Sequence, residues 1–294
     1  MTAIKASVVK ELRERTGCGM MECKKALTAT GGDIEAAIEE MRKKGMAKND
    51  KLASRVAAEG TIAFVIADDK KSGAIVEINC ETDFVSGGDA FKDFAKSVAK
   101  AILENRPADS DAVLALTAED GRTFKEVREE LLLKLGENIQ IRRFETFDAE
   151  QGIVEGYLHG NRIGVLLATE GDNAEIAKDV AMHVAAINPM CISEADVPAD
   201  VLEKEKGILV AQAQESGKPM EIIEKMIQGR LRKYLAEITL EGQAFVKDTD
   251  ITVGKLLKDA GMKIVKMQRY GVGEGIEKKE ENFAEEVMAQ VKGS

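Results

Sequence analysis

The chain has 294 residues, of which 44% are apolar and 4% aromatic, and its charged side chains give a formal charge of −10. This acidity disfavours a general nucleic-acid binder, because phosphate backbones repel an acidic surface. No segment approaches the ~20 apolar residues that a membrane helix needs, and the charged N-terminus has no apolar signal core. We therefore expect a cytoplasmic protein that contacts neither membrane nor nucleic acid directly.

Residues 4–45 predict three short helices. Gly17 and Gly45 are placed to end the first and third of them, and Asp33 is placed to cap the start of the third. The polar residues 46–55 that follow are interpreted as a linker. Apolar residues recur at helical intervals, at Ile4, Val8 and Leu12 in the first helix and at Ile34, Ala37, Ile38 and Met41 in the third.

The next block is extended. Residues 61–67 and 73–80 are rich in β-branched side chains and flank a polar turn, which predicts a β-hairpin. Apolar and polar residues alternate in the second strand, so we expect one buried face and one solvated face. The alternating positions are Val76, Ile78 and Cys80 against Glu77 and Asn79.

A hairpin followed by a helix is predicted twice. In the first unit the helical stripe begins at Ala90. The pentapeptide 95–99 of that helix aligns with 177–181 in the helix of the second unit, and we infer an internal repeat. The other predicted elements are a helix at 124–135, a strand at 137–144, a hairpin at 153–158 and 163–168, and a helix at 173–187.

Two densely charged helices, 202–214 and 220–238, interrupt the second unit. The Gly-Pro turn at 216–219 between them predicts an antiparallel pair. Glycines 271, 273 and 275 are interpreted as a flexible hinge. The elements that follow the inserted pair are predicted as extended segments at 245–253 and 263–270 around a short helix at 254–259, and a final helix at 280–292.

The sequence offers little catalytic chemistry. It contains neither a GxxxxGK[ST] phosphate loop nor a GxSxG nucleophile elbow. Residues 271–276 are superficially like a dinucleotide loop, but the third glycine comes one position early. His183 shares a helical stripe with Ile176, Val180 and Ile187, which favours a packed core histidine over a functional one. We expect no enzyme activity, no cofactor and no metal.

The four cysteines, at positions 18, 23, 80 and 191, do not have the spacing of a zinc site, and only two histidines could join them. Reduced and partly buried thiols are the favoured interpretation.

Two features fit no core stripe. The segment NCETDFVSGG, residues 79–88, places Phe84 beside Asp83 in a connection. From these residues alone, Phe84 is expected to close the end of the sheet and Asp83 to cap the turn. The second feature is the pair Met20 and Met21, since adjacent residues on a helix cannot both face one core. In one interpretation, one of them is exposed or at the helix start, as at adaptable binding surfaces. In the alternative, one methionine is buried and the other fills a crevice.

The chain resembles the bacterial elongation factor Ts family, the nucleotide exchange factors for elongation factor Tu. The resemblance covers essentially the whole chain. It is carried by six segments in order: LRERTGCGMMECKKAL (12–27), TDFV (82–85), GENIQIRR (136–143), AMHVAA (181–186), SGKP (216–219) and GVGEGIEK (271–278).

The resemblance implies an α+β fold. Its parts are a ubiquitin-associated-like module of three N-terminal helices, a two-part α/β core of antiparallel sheets, an inserted antiparallel helical hairpin and a C-terminal helix. The implied domains are 1–55 (N-terminal module and linker), 56–146 (first core subdomain), 147–197 and 242–274 (second core subdomain), 198–241 (inserted hairpin) and 275–294 (C-terminal module).

The resemblance also implies nucleotide exchange. Such a factor binds elongation factor Tu with GDP, perturbs its magnesium and phosphate site, and leaves when GTP binds. The segment matching Thr82, Asp83, Phe84 and Val85 enters the GTPase domain and helps to dislodge magnesium, so Phe84 is now expected to be a wedge rather than core. The other implied contact residues are Arg13, Met20 and Met21 in the N-terminal module and His183 in the second core half.

Two other functions stay open at this point. A protein-binding adaptor would bind partners without changing GDP release, and a small-molecule enzyme would use the cleft between the two core halves. The inserted hairpin has three possible roles: it pairs two copies in a homodimer or a two-to-two complex, it touches the partner, or it is a rigid spacer.

Overall fold

The computed structural model describes residues 4–16, 18–41, 43, 55–214 and 220–277. Within them the chain is a mixed α+β protein with antiparallel sheets, as the sequence predicts. Several predicted features lie outside the described residues: the helix ends at Gly17 and Gly45, the linker up to residue 54, the turn 216–219 and the final helix 280–292.

Three N-terminal helices pack around a small apolar core of their own. They are α1 (Ala6–Thr16), α2 (Met20–Ala29) and α3 (residues 34–41). The predicted cap is present, because Asp33 Oδ1 accepts a hydrogen bond from the Ala36 N–H at 3.0 Å. Leu12 and Ala37 of the two predicted stripes are fully buried, which confirms the helical pattern.

The first core unit is a three-stranded sheet with helices on one face. The strand order is β1-β2-β3, and every pairing is antiparallel. Its elements in chain order are β1 (Glu59–Ile66), β2 (Ser72–Cys80), α4 (Asp83–Gly87), α5 (Asp89–Asn105), α6 (Ser110–Ala115), α7 (Phe124–Leu135) and β3 (Gln140–Asp148).

The second unit repeats this plan with a longer insertion. Its elements in chain order are β4 (Val154–His159), β5 (Ile163–Glu170), α8 (Ala174–Ile187), α9 (Ala199–Gln214), α10 (Met220–Ile238), β6 (Ala244–Phe245), β7 (Asp248–Thr252), α11 (Val253–Asp259) and β8 (Lys263–Gly271). The strand order β4-β5-β8 matches that of the first sheet. The aligned pentapeptides lie on α5 and α8 with Ala95, Val98 and Ala99 buried like Ala177, Val180 and Ala181, which supports the inferred repeat.

The two sheets pack face to face, with the helices on the outside. Ile62 and Ile75 of the first sheet share one buried cluster with Val154 and Leu166 of the second. The approach is close, because a Cβ atom built on Gly164 would lie 2.4 Å from Ile62 Cγ2. The β1 backbone also joins the second unit, since the Ile62 N–H donates to the Asn161 carbonyl at 2.9 Å.

This packing overturns the expectation of a solvated face on β2. Glu77 and Asn79 are as buried as the apolar residues between them. The second sheet and the turn after β8 cover that face. Glu77 Oε1 accepts from the Gly273 N–H at 2.8 Å, and Glu77 Oε2 accepts from Arg143 Nε at 2.5 Å. The strand is therefore buried on both faces.

The glycines after β8 form a packed turn, so the flexible-hinge interpretation is wrong. Gly273 has φ +73°, and a Cβ atom on it would lie 2.2 Å from the Ala58 carbonyl oxygen. Arg142 donates to the Glu274 carbonyl at 2.6 Å. Glycine is required here by close backbone contact and a left-handed conformation, and the turn ties the C-terminal strand to the first sheet.

Helices α9 and α10 pack against each other. Leu209 and Ala213 on α9 and Ile223 on α10 are buried, and Arg230 donates to Gln212 Oε1 at 3.2 Å across the pair. The backbone of Met190 reaches the end of α10, since its N–H donates to the Ile238 carbonyl at 2.8 Å.

Candidate functional site

The segment after β2 forms a short projecting helix, α4, which we call the tip helix. It contains only five residues, Asp83–Gly87. Its N-cap is Thr82, whose side-chain oxygen accepts a hydrogen bond from the Val85 N–H at 3.4 Å. Threonine suits this position because its hydroxyl satisfies a backbone N–H that has no partner within the helix. The capping role expected for Asp83 therefore belongs to its neighbour.

The tip helix has one anchored side and one free side. Val85 packs against the first core cluster, and Ser86 is buried, with its hydroxyl donating to the Asp83 carbonyl at 3.1 Å. Asp83 is exposed, and the Phe84 side chain is 90% exposed. Phe84 therefore does not close the end of the sheet.

The base of the tip helix is held by two residues that precede β3. Glu137 accepts hydrogen bonds from the backbone N–H of Glu81 and of Thr82, at 3.1 and 3.0 Å. The Thr82 hydroxyl donates to the same carboxylate at 2.5 Å. In return, Glu81 accepts from the Asn138 N–H at 2.7 Å. The predicted strand at 137–144 begins only at Gln140 because Glu137 and Asn138 make these contacts.

Cys80, the last residue of β2, contacts the same junction. Its thiol donates to the Thr82 carbonyl at 3.2 Å. Burial, together with the smaller effect of the nearby Glu137 charge, raises the pKa of this thiol to about 12. The group therefore remains a protonated, unreactive thiol at neutral pH. All four cysteines are free thiols, as expected; Cys18, Cys23 and Cys80 are buried, and Cys191 is partly buried.

His183 is a core residue with both ring nitrogens satisfied. Its side chain is 0% exposed. The Val246 N–H donates to Nδ1 at 3.3 Å, so the proton resides on Nε2, which donates to Gln243 Oε1 at 2.9 Å. Burial lowers the pKa of this imidazole, and the Gln243 hydrogen bond offsets part of the effect. The packed-core interpretation is confirmed; the implied partner contact stays a prediction that would have to act through Val246 and its neighbours.

The N-terminal candidates lie at the surface of the three-helix unit. Met20 and Met21 open α2 and are 56% and 64% exposed. Arg13 is exposed on α1. Both methionines are therefore available for contact, whereas Cys23 and Leu27 of the same helix face the core.

The second unit exposes apolar side chains that the sequence reasoning missed. Ile187 was placed on the buried stripe of α8, yet it ends the helix and is 47% exposed. Met190 and Val246 are exposed as well. Ile187 follows His183 by one helical turn, and Val246 contacts His183 through its backbone. We call Ile187, Met190 and Val246 the second apolar surface. The local signal for the exposure of Ile187 is the Asn-Pro pair that follows it. Proline disfavours the helical conformation of the residue before it, so the helix ends at Ile187.

Within the described ranges, no group of three or more His, Cys, Asp or Glu side chains is arranged to hold a metal ion. None of the described helices is long and apolar enough to cross a bilayer.

Comparison with known proteins shows what kind of molecule this is. The family model described as elongation factor TS matches residues 81–274. The elongation factor Ts of Thioalkalivibrio sulfidiphilus is 59% identical over 292 residues, 99% of each chain. That of Methylococcus capsulatus is 57% identical over 99% of this chain and 100% of its own. That of Francisella tularensis subsp. novicida is 57% identical over 100% of both.

These matches show that the chain, with its mixed α+β core and its tip helix, is a translation elongation factor. More specifically, the chain belongs to the elongation factor Ts family.

Proposed function

We propose that the protein is a guanine-nucleotide exchange factor that releases GDP from elongation factor Tu and has no chemical catalysis of its own. The observation that carries the proposal is Phe84, a large apolar side chain that is 90% exposed on a helix whose other side is anchored in the core. Large aromatic side chains that a partner can bury are frequent hot spots of protein interfaces.

The thermodynamic requirement on such a factor is strict. A nucleotide held at nanomolar affinity is bound by about 12 kcal/mol. A partner lowers that affinity only if it binds the nucleotide-free state more tightly than the nucleotide-bound state. The coupling is reciprocal, so nucleotide weakens the factor by the same amount. The arrival of GTP then releases the factor.

The tip helix suits the perturbing role. Burying the Phe84 ring in a pocket of the GTPase contributes roughly 1.5–3 kcal/mol. That energy can displace an element that supports the bound Mg²⁺ and phosphates. Asp83 precedes Phe84 and is exposed, so its carboxylate can disturb the water around the metal without being a ligand.

One phenylalanine is too weak to offset the affinity of the nucleotide, so further surfaces must bind the partner. The described residues offer two. One comprises Met20 and Met21 on α2, with Arg13 nearby in sequence on α1. The other is the second apolar surface, which His183 supports from within the core. In this proposal the tip perturbs and these two surfaces bind.

The test is stopped-flow release of a fluorescent GDP analogue from elongation factor Tu, with wild-type protein, Phe84→Ala and Val265→Ala. Val265 is a matched control because it is an exposed apolar residue on β8, outside the tip helix and outside the two surfaces named above. We expect wild type and Val265→Ala to accelerate release equally. Phe84→Ala should lose most of the acceleration while its unfolding free energy stays within about 0.5 kcal/mol of wild type, since the ring is exposed.

Binding of wild-type protein without acceleration would leave the adaptor function in front. Equal losses of activity and stability in Phe84→Ala would return Phe84 to a structural role. The role of α9 and α10 is a separate matter: sedimentation of the isolated protein distinguishes a homodimer through this hairpin from a hairpin that contacts the partner or acts as a spacer.

A further inference from the structure

Glu137 stands out among the residues around the tip helix, because it lies more than fifty positions away in sequence and yet determines how the helix begins. It precedes β3 and reaches across to the end of β2. Three donors converge on its one carboxylate: the N–H groups of Glu81 and Thr82 and the Thr82 hydroxyl.

These hydrogen bonds lie just beyond the last paired residues of the sheet, where strand pairing no longer holds the chain. The ladder between β2 and β3 ends at the pair Asn79 and Gln140. Beyond it, the Glu137 carboxylate and the Glu81 carboxylate replace the missing ladder by accepting N–H groups from the opposite segment. Asn138 extends the junction by donating to the Arg55 carbonyl at 2.8 Å.

Thr82 connects this junction to the tip. Its hydroxyl donates to Glu137 and accepts from the Val85 N–H. A five-residue helix cannot maintain its own geometry, since helix nucleation is unfavourable and few internal hydrogen bonds form. The direction of α4, and therefore of Phe84, depends on what holds its N-terminus.

We propose that Glu137 is a positioning residue for nucleotide exchange: it holds the base of the tip helix so that Phe84 projects in the one direction that perturbs the GTPase. The inference rests on the proposed function. It assigns Glu137 no contact with the partner. Its removal should reduce the fraction of complexes in which the tip is productive, while the binding surfaces elsewhere are unchanged.

The experiment measures GDP release from elongation factor Tu as a function of factor concentration for Glu137→Ala, Glu137→Gln and the control Glu104→Gln. Glu104 is an exposed glutamate near the far end of α5. Glu137→Ala is expected to lower the maximal release rate by about tenfold, as small misplacements of a positioned group commonly do, with a half-saturating concentration within about twofold of wild type. Glu137→Gln keeps one acceptor oxygen and should recover most of the rate; Glu104→Gln should match wild type.

Two further measurements separate positioning from loss of fold. Hydrogen exchange on the free protein should speed up in the peptide covering residues 82–88 of Glu137→Ala and stay unchanged in β1 and β2. In the double variant with Phe84→Ala, Glu137→Ala should cost little beyond the single Phe84→Ala change, because both act through one ring.

Three results would overturn the inference. A full maximal rate in Glu137→Ala means that the tip needs no such support. A raised half-saturating concentration, additive with Phe84→Ala, means that Glu137 acts on another surface or on the fold. If Glu137→Ala does not fold, Glu137→Asp, which shortens the reach of the carboxylate, is measured instead: a lower maximal rate with faster exchange at residues 82–88 supports positioning, and a wild-type maximal rate with that faster exchange counts against it. If wild-type protein does not accelerate GDP release, the proposed function fails first; if Phe84→Ala keeps the full rate, only the perturbing role of Phe84 fails, and both results are independent of Glu137.

Discussion

At the scale of single residues, Phe84 and His183 represent opposite uses of a side chain that breaks a pattern. Phe84 is apolar and faces solvent, while His183 is polar and fully buried. The exposed ring costs little stability and is available to a partner. The buried imidazole instead orders its surroundings, because one ring nitrogen accepts from the backbone of Val246 and the other donates to Gln243. A role for His183 in binding would act through the position of that backbone.

The burial of His183 predicts a pH dependence of stability. Its pKa in the folded protein lies below the ordinary value of 6.5, so the unfolded chain takes up a proton that the native state resists. The stability contributed by the neutral ring is complete above about pH 6.5 and declines as the pH falls toward the lowered pKa. We expect His183→Gln to be less stable by roughly 1–3 kcal/mol at pH 8, from lost hydrogen bonds and packing. The difference from wild type should shrink on acidification between pH 6.5 and 5, as measured by chemical denaturation; a constant difference would contradict the assignment.

At the scale of elements, the turn after β8 is joined to β2 through Glu77. This carboxylate accepts from Asn79, Arg142, Arg143 and the Gly273 N–H. Arg143 also stacks over the Tyr270 ring, 4.4 Å from its centroid. The two sheets are thus linked by a buried polar junction as well as by their apolar faces, and the tip on one sheet keeps a defined relation to the second apolar surface on the other.

Replacing Glu77 tests that junction. Glu77→Gln keeps the shape but removes the charge that the two arginines surround, and it should destabilise the protein by about 2–3 kcal/mol in urea unfolding. The matched control is Glu119→Gln, whose carboxylate pairs with Lys100 in solvent; this change should leave the stability close to that of wild type. Similar small effects of both changes would mean that the junction contributes little to holding the sheets together.

At the scale of the whole molecule, the proposed function divides perturbation from binding. The tip helix extends from the first unit, and the second apolar surface lies on the second. Under this proposal, the repeat of one sheet-and-helix plan places the two expected contact sites on a single packed core.

This division predicts distinct kinetic effects. Met190→Asp removes apolar contact from the second apolar surface, where burial of such a side chain is worth about 1.5–3 kcal/mol. The half-saturating concentration for GDP release should rise about tenfold or more, with the maximal rate within about twofold. Phe84→Ala should instead lower the maximal rate and leave the half-saturating concentration within about twofold of wild type. A lower maximal rate for Met190→Asp at unchanged half-saturation would show that the two roles are not separated in this way.

Local pattern was sufficient for most of the elements. The predicted helix 124–135 has the ends observed for α7, where Thr123 and Glu126 form a capping box and Gly136 ends the helix in the left-handed conformation. Such signals are carried by neighbouring residues and need no tertiary contact. The exposure of Phe84 was indicated only by its failure to fit a stripe and by family resemblance, and the Glu137 junction gave no local signal, since its partners are distant in sequence.

By itself, the sequence determined the order and type of the elements, the internal repeat and the family, because periodicity and motifs are properties of the chain. Only the tertiary structure decided which faces are covered. Glu77 and Asn79 are predicted on a solvated strand face and are buried. The turn after β8 and the side chains of Arg142 and Arg143 cover Glu77, and Asn79 donates a hydrogen bond to it. Ile187 read as core and is exposed, because the helix ends there. Burial depends on which distant segments of the chain pack against a residue, and the residues adjacent to it in sequence do not determine this.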